Sequence, residues 1–272
     1  MNQLKLVRTP PSSFSLASGS SGNSIYVGSE QTAVLVDVGI NCKGLCLALD
    51  SRGLSPADLS GILITHEHSD HVKGLDVFAK RYSIPIYLNQ KTWNRLRPRL
   101  KYADFMDVRI VENDSQFVVG DIEVKSFSTP HDAVDSMGFR LNTGRHVVSV
   151  FTDLGKTNER LIDAVAGSDL IYIEANYDPD MLKNGPYPWD LKQRISGEFG
   201  HLSNLDCADG ILELLNRGTS RFVLSHLSEH NNFPELAELT VNRILLEAGA
   251  KHGSDFQMNV APRYTPGEIF EL

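Results

Sequence analysis

The amino-acid sequence predicts an α/β protein in which helices cover β-sheets. Three observations carry this. Short apolar, β-branched runs alternate with amphipathic helical stretches from residue 24 to residue 249. No long linker, low-complexity segment or repeat of 20–50 residues interrupts the alternation. Several apolar runs also end abruptly in His or Asp, at positions from which side chains can reach a shared cleft.

Taken in order, runs 24–28 and 33–38 read as the first strands and 41–52 as a helix. Run 61–65, Gly-Ile-Leu-Ile-Thr, is a buried strand, because a short β-branched segment ended by polar residues fits a covered sheet. Helix 71–82 follows, with apolar residues at 72, 75, 77 and 78. Strand 84–88 and helix 90–97 come next, then strands 117–119, 122–128, 137–142 and 146–151. Helix 157–166 leads to strand 169–174. Helix 203–217 has Ser203 as its N-cap, Asp206 at the third helical position and Gly218 as its stop. Strand 221–225 and helix 233–249 complete the pattern.

At 272 residues the chain is long enough for one large domain or two small ones, and 41% hydrophobic content gives ample core. Residues 1–30 hold no apolar run that could span a membrane or form a leader, since Lys5, Arg8, Pro10 and Pro11 interrupt the one candidate. Cys42, Cys46 and Cys207 form no Cys-x-x-Cys pair and read as buried free thiols, the first two on a helix. Both features suit a reducing cytoplasm. A net charge of −8 and a pI near 5.6 argue against a surface coated in nucleic-acid contacts. One local exception is Lys91, Arg95, Arg97, Arg99 and Lys101, with Trp93 and Tyr102 alongside. A solvated face is the default for such a run, and a phosphate-backbone contact is the sharper reading.

The most informative stretch is His66-Glu67-His68-Ser69-Asp70-His71, on the turn between strand 61–65 and the next helix. Imidazole nitrogen and carboxylate oxygen are the ligands that borderline divalent metals prefer, and four candidates in six residues exceed ordinary polar usage. Strand 122–128 runs into His131, strand 146–151 into Asp153, and strand 221–225 into His226. With 66, 68, 70 and 71 these make seven potential ligands, about the number two metals sharing a bridging carboxylate require.

These residues resemble the motifs of the metallo-β-lactamase-fold hydrolases. Thr65–His71 followed by Gly74 is similar to that superfamily's second motif. Asp37 in Val34–Gly39 matches its first, and His131, Asp153 and His226 match its third, fourth and fifth, in order, over about 14–265. The resemblance implies a four-layer αββα sandwich of two mixed sheets flanked by helices. It implies a single domain over 1–272 with similar halves about 1–130 and 131–272. It also implies that His66, His68 and His131 hold one divalent ion, that Asp70, His71 and His226 hold a second, that Asp153 bridges them, and that Asp37 orients a ligand histidine. Zinc, manganese and iron all suit such ligands.

Within the superfamily, three segments look like the YycJ-like (WalJ) subgroup, compact bacterial members that resemble 5′–3′ exonucleases of DNA repair. They are the loop Ser18–Ser24, the run Pro186–Arg194 leading to Gly200–Asn204, and Leu227–Asn232 after His226. Secreted β-lactamases usually have Cys where Asp153 stands, and flavodiiron relatives have Glu in place of His68. The larger nucleic-acid-processing members insert a domain between the fourth and fifth motifs, where this chain has only 72 residues.

The mechanism implied is hydrolysis of a phosphodiester, with DNA as the favoured substrate. Two divalent metals lower the pKa of a bridging water to generate hydroxide near pH 7. Asp70 is then both ligand and acceptor of the water's proton. His201 and His230 are candidates to protonate the leaving oxygen, against the plainer readings that they order a loop or sit on the surface. Ser20, Ser21 and Asn23 could meet a phosphate, or simply build a tight turn around Gly19 and Gly22. Asn204 at a helix start could face an anion. Tyr177, Tyr187 and Trp189 could stack on bases, or pin a loop. A small-molecule hydrolase of thioesters, lactones or cyclic phosphodiesters shares the ligand set. A metal-stabilised binding module without catalysis is the reading from another class.

Overall fold

The computed structural model describes residues 11–272, so Lys5, Arg8 and Pro10, and with them part of the leaderless reading of the N-terminus, lie outside the described residues. The first sheet contains β1 (Ser12–Ala17), β2 (Ser24–Gly28), β3 (Ala33–Val36), β4 (Gly61–Leu63), β5 (Ile86–Leu88) and β6 (Val108–Ile110). The second contains β7 (Gln116–Val119), β8 (Ile122–Ser128), β9 (Met137–Asn142), β10 (Val147–Phe151), β11 (Leu170–Glu174), β12 (Arg221–Ser225) and β13 (Gln257–Val260). The last strand, β14 (Phe270–Glu271), returns to pair with β1 in the first sheet. Both sheets are mixed: β1–β2–β3 and β7–β8–β9–β10 pair antiparallel, whereas β3–β4–β5–β6 and β10–β11–β12–β13 run parallel.

Strand alternation sends successive side chains into different cores. Val34, Val36 and Leu63 meet Val148, Val150, Leu170 and Tyr172 between the sheets. Their sequence neighbours Leu35, Ile62 and Ile64 face outward, under α1 (Cys42–Asp50) and, beyond the short α2 (Ser69–Val72), α3 (Leu75–Tyr82) and α4 (Gln90–Leu96). On the other side Phe151, Ile171, Ile173, Phe222 and Leu224 lie under α5 (Glu159–Val165) and, past α6 (Pro179–Asn184) and α7 (Trp189–Ile195), α8 (Asn204–Leu215) and α9 (Pro234–Glu247). The result is the four-layer αββα sandwich.

Several expectations change. The helix expected at 71–82 is two helices: α2 begins earlier, at Ser69, and breaks at Gly74, whose N–H donates to Val38 O. A Cβ at Gly74 would sit 2.3 Å from Ile40 O, so the break lets this turn lie against the loop after β3. Strand 33–38 stops at Val36 because Asp37 takes φ +61°. Strands β1, β6, β13 and β14 and helices α6 and α7 were not expected. Of the cysteines only Cys207 is fully buried; Cys42 and Cys46 are half-buried, with Cys46 Sγ 3.2 Å from Tyr82 Oη. Ser203 caps α8 as expected, its hydroxyl accepting from Asp206 N–H. No helix among the described residues is long and apolar enough to cross a membrane.

Candidate metal centre

The site forms at one edge of both sheets, where strands release their last residues. Asp37, Asp153 and His226 each follow a strand, β3, β10 and β12, and each is left-handed, with φ of +61°, +60° and +56°. For residues with a Cβ this costs about 1–3 kcal/mol apiece. The turn ends the strand at once and swings the side chain over the sheet edge. The loop after β4 delivers His66, and α2 carries Asp70 and His71. Backbone bonds lock these loops together: Val38 N–H donates to His71 O, Gly39 N–H to Asn23 O, and Asn23 N–H to Asp70 O. A Cβ at Gly39 would lie 1.7 Å from Asp70 O, so only glycine permits that approach.

Donor atoms of His66, His68 and His131 lie within 4.8 Å of one another, and so do those of Asp70, His71 and His226. Asp153 lies between the two sets: its Oδ1 is 3.7 Å from His131 Nε2 and its Oδ2 3.5 Å from His71 Nε2.

Acceptors behind the rings set their tautomers. His71 Nδ1–H donates to Asp37 Oδ2 at 2.7 Å, His131 Nδ1–H to Gly200 O at 3.1 Å, and His226 Nδ1–H to Glu174 Oε1 at 2.8 Å. Thr65 Oγ1–H donates to Asp37 Oδ2 and so accepts from His66 Nδ1, at 2.9 Å. All four rings therefore turn Nε2 toward the cluster.

The electrostatics fit a cationic guest. Burial works against charge on every group here; the neighbours outweigh it at Asp70, Asp153, His71 and His226, whereas burial prevails at Asp37, whose carboxyl is raised, and at His66 and His131, whose imidazoles are lowered. Asp70 and Asp153 are held well below the ordinary carboxylate range by the His71 and His226 imidazoles. Burial lowers His226, but Asp153, Asp70 and Glu174 push it up to about 10; Asp153, Asp37 and Asp70 likewise hold His71 well above its usual value. Burial drives His66 the other way, to a neutral ring, helped by the charge of His71. Two buried atoms, His66 Nε2 and Asp153 Oδ2, have no hydrogen-bond partner. Buried polar atoms without partners are rare and expensive. One lies in the first triad and the other on the shared carboxylate, so the residues fit a divalent-metal centre.

A cleft of about 380 Å³ opens over the cluster, its lining including Asp70, Asp153, His201, His226, Asp132, Tyr187 and Arg194. His201 is where a cleft residue should be, its Nδ1–H on Glu174 Oε1 at 2.7 Å. His230 is not: it is exposed and packs edge-on against Tyr187. Ser20 lines the cleft, whereas half-buried Ser21 does not. Asn23 is buried and bonds Asp70 Oδ2 and His71 Nε2, at 3.3 and 3.2 Å, so it braces the cluster. Asn204 is fully buried and pairs with Asn232. Tyr177 is buried, and Trp189 is exposed outside the cleft lining. Lys91, Arg95, Arg97 and Arg99 are exposed, Lys91 pairing with Asp135, four residues after His131, and Arg97 with Asp104.

Sequence reasoning missed Glu174. It is fully buried, binds both His201 and His226, and accepts from Leu154 and Leu202 N–H. The signal was present: strand 169–174 ends in this acid, just as the runs on either side of it in the sheet, 146–151 and 221–225, lead into Asp153 and His226.

Comparison with known proteins agrees with this geometry. The family described as "Beta-lactamase superfamily domain" matches residues 32–227. Exodeoxyribonuclease YycJ of Bacillus anthracis is 37% identical over 254 residues, 93% of this chain and 96% of that protein. Exodeoxyribonuclease WalJ of Streptococcus pneumoniae is 39% identical over 246 residues, 89% of this chain and 91% of that one. The metallo-β-lactamase-fold protein YhfI of Bacillus subtilis superposes with a TM-score of 0.71 at 19% identity, over 97% of this chain and all of the other.

Proposed function

This chain belongs to the metallo-β-lactamase-fold hydrolase superfamily, and on that premise we propose that it is a phosphodiesterase of the 5′–3′ DNA exonuclease type with a dinuclear metal centre. One observation carries the reading: seven His and Asp side chains with the chemistry of metal ligands gather beneath one cleft, four of them lining it, in a chain whose 37–39% identical relatives are named exodeoxyribonucleases. His66, His68 and His131 would hold one divalent ion, Asp70, His71 and His226 another, with Asp153 shared. Zinc, manganese and iron fit these donors equally. Such ions, when bound, lower the pKa of water and offset charge that develops on a phosphoryl oxygen.

The chain's own residues do the rest. Asp37 and Glu174 fix the rings of His71 and His226. Asp70, at the cleft wall, can accept a proton. His201 is favoured over His230 as donor to the leaving oxygen: its Nδ1 is engaged by Glu174, which leaves Nε2 for the substrate and a carboxylate to steady the imidazolium. Ser20, the serine of the first loop that lines the cleft, would touch substrate. The seven candidate ligands come from the edges of both sheets, so the site would depend on the two sheets folding as one unit.

The test is a substrate panel on metal-loaded protein: 5′-phosphorylated single- and double-stranded DNA, the matching RNA, bis-p-nitrophenyl phosphate and an S-acyl glutathione. DNA should be degraded from its 5′ end, and a folded Asp70→Ala protein should not turn over. Hydrolysis of the thioester alone would replace the nuclease reading with a small-molecule hydrolase. No turnover of any ester would favour a binding module.

A further inference from the structure

Resting on the phosphodiesterase reading, we propose that Arg194 anchors a second phosphate of the substrate strand, the one adjoining the phosphate that is cut. Among the described residues lining the cleft, Arg194 is the only Arg or Lys; the fixed charges around it are Asp70, Asp132 and Asp153. A polyanion entering a chain of net charge −8 needs local cations, and the metal centre can serve only the phosphate in contact with it.

The guanidinium is prepared for the task. It stands on the last turn of α7, on the same face as Leu191 and Ile195, which also line the cleft. Its Nε–H donates to Asp132 Oδ2, and Asp132 is the residue directly after His131. That bond fixes the plane of the group and uses one of five N–H donors. The two terminal nitrogens have no protein partner among the described residues, and the side chain remains 57% exposed. A planar fork with its inner edge clamped and its outer edge free is the geometry that grips a phosphate through two parallel bonds. Lys192, two residues earlier, lies outside the cleft lining, its ammonium turned to Lys183 O.

A competing role exists. Asp132 Oδ1 also lies 3.5 Å from His131 Nε2 and 4.0 Å from His68 Nε2. Arg194 could therefore act only by holding Asp132 in place for those imidazoles. The two roles separate by what each leaves unchanged: a phosphate anchor affects substrate affinity and spares the metals and a one-phosphate substrate.

The experiment compares wild type, Arg194→Gln and Arg194→Lys as full-length, metal-loaded chains. Equilibrium binding is read by anisotropy of a fluorescent single-stranded phosphorothioate DNA over a range of salt. Turnover of phosphate DNA and of bis-p-nitrophenyl phosphate, and bound metal per chain, are measured in parallel. Arg194→Gln should weaken DNA binding about tenfold or more. It should also flatten the plot of log affinity against log salt by about 0.7, the loss of one single-strand phosphate contact. KM on DNA should rise with kcat little changed, Arg194→Lys should recover only part of the loss, and bis-p-nitrophenyl phosphate turnover and metal content should stay at wild-type levels. Unchanged affinity and slope in Arg194→Gln would overturn the inference. So would a parallel fall in metal content and bis-p-nitrophenyl phosphate turnover, which assigns Arg194 to support of the histidines. A wild-type chain that cleaves no phosphodiester refutes the functional reading itself, a different result from an active enzyme indifferent to Arg194.

Discussion

Replacing Asp37 by Asn should cripple metal binding through one proton. Asp37 Oδ1 accepts the Thr65 backbone N–H at 2.9 Å, and Oδ2 accepts Thr65 Oγ1–H and His71 Nδ1–H, at 2.8 and 2.7 Å. A backbone amide can only donate, so the Asn carbonyl must stay on Thr65 N. The Asn NH₂ then faces His71 Nδ1, which must become an acceptor. The ring's proton moves to Nε2, the atom that faces Asp70 and Asp153 at 3.4 and 3.5 Å, and a protonated nitrogen cannot bind a metal. Partners behind a ligand histidine are typically worth 10–100-fold in metal affinity, about 1.4–2.7 kcal/mol. The loss should fall first on the Asp70–His71–His226 end. Competition with a chromogenic chelator gives the two affinities, with circular dichroism showing that the fold survives. Wild-type affinity and stoichiometry in Asp37→Asn would refute the tautomer argument.

Two other outcomes follow from the same site. Metal-free protein at pH 7 should carry protons on His71 and His226, so loading at pH 7 should release about one proton from each, read as buffer-dependent heats in calorimetry; no release would contradict the raised values. Because His226 titrates at about 10 when folded against 6.5 when free, its contribution to the stability of chelated protein is full below 6.5 and disappears as pH rises through 10. Denaturant midpoints of chelated protein should therefore drop between pH 7 and pH 10. Gly39→Ala should lower both melting temperature and metal affinity, since its Cβ would meet Asp70 O at 1.7 Å and Asn23 N at 2.5 Å, backbone atoms that no rotamer can move; a wild-type melting temperature would show that this contact is not needed.

The layers, and the gathering of His66, His68, Asp70, His71, His131, Asp153 and His226 at one sheet edge, were legible because both rest on local pattern. Buried runs such as Gly61–Thr65 announce a covered strand, and a polar residue at the end of such a run announces a sheet edge. What stayed hidden depends on partners far along the chain. Strand β1 is entirely buried yet reads Ser-Ser-Phe-Ser-Leu-Ala, because Ser13 Oγ lies 2.9 Å from Tyr172 Oη of the opposite sheet and donates to Tyr26 O. Two-residue β14 has no periodicity to detect and exists only because β1 needs a neighbour. The left-handed turns at Asp37, Asp153 and His226 carry no glycine to mark them. Glu174 gains its meaning from His226, 52 residues away. Asn204 looked like an anion contact from its place at a helix start, but its buried amide is used up by Asn232.

The most direct test of a dinuclear phosphodiesterase is a metal titration of chelated protein, following bound metal by elemental analysis and hydrolysis of a 5′-phosphorylated DNA strand in the same samples. Wild type should bind close to two ions per chain, with hydrolysis appearing as the second site fills. Asp153→Ala, which removes the carboxylate lying between the two ligand sets, should bind at least one ion fewer and cleave nothing. Full activity at one ion per chain, with stoichiometry untouched by Asp153→Ala, would contradict the dinuclear centre.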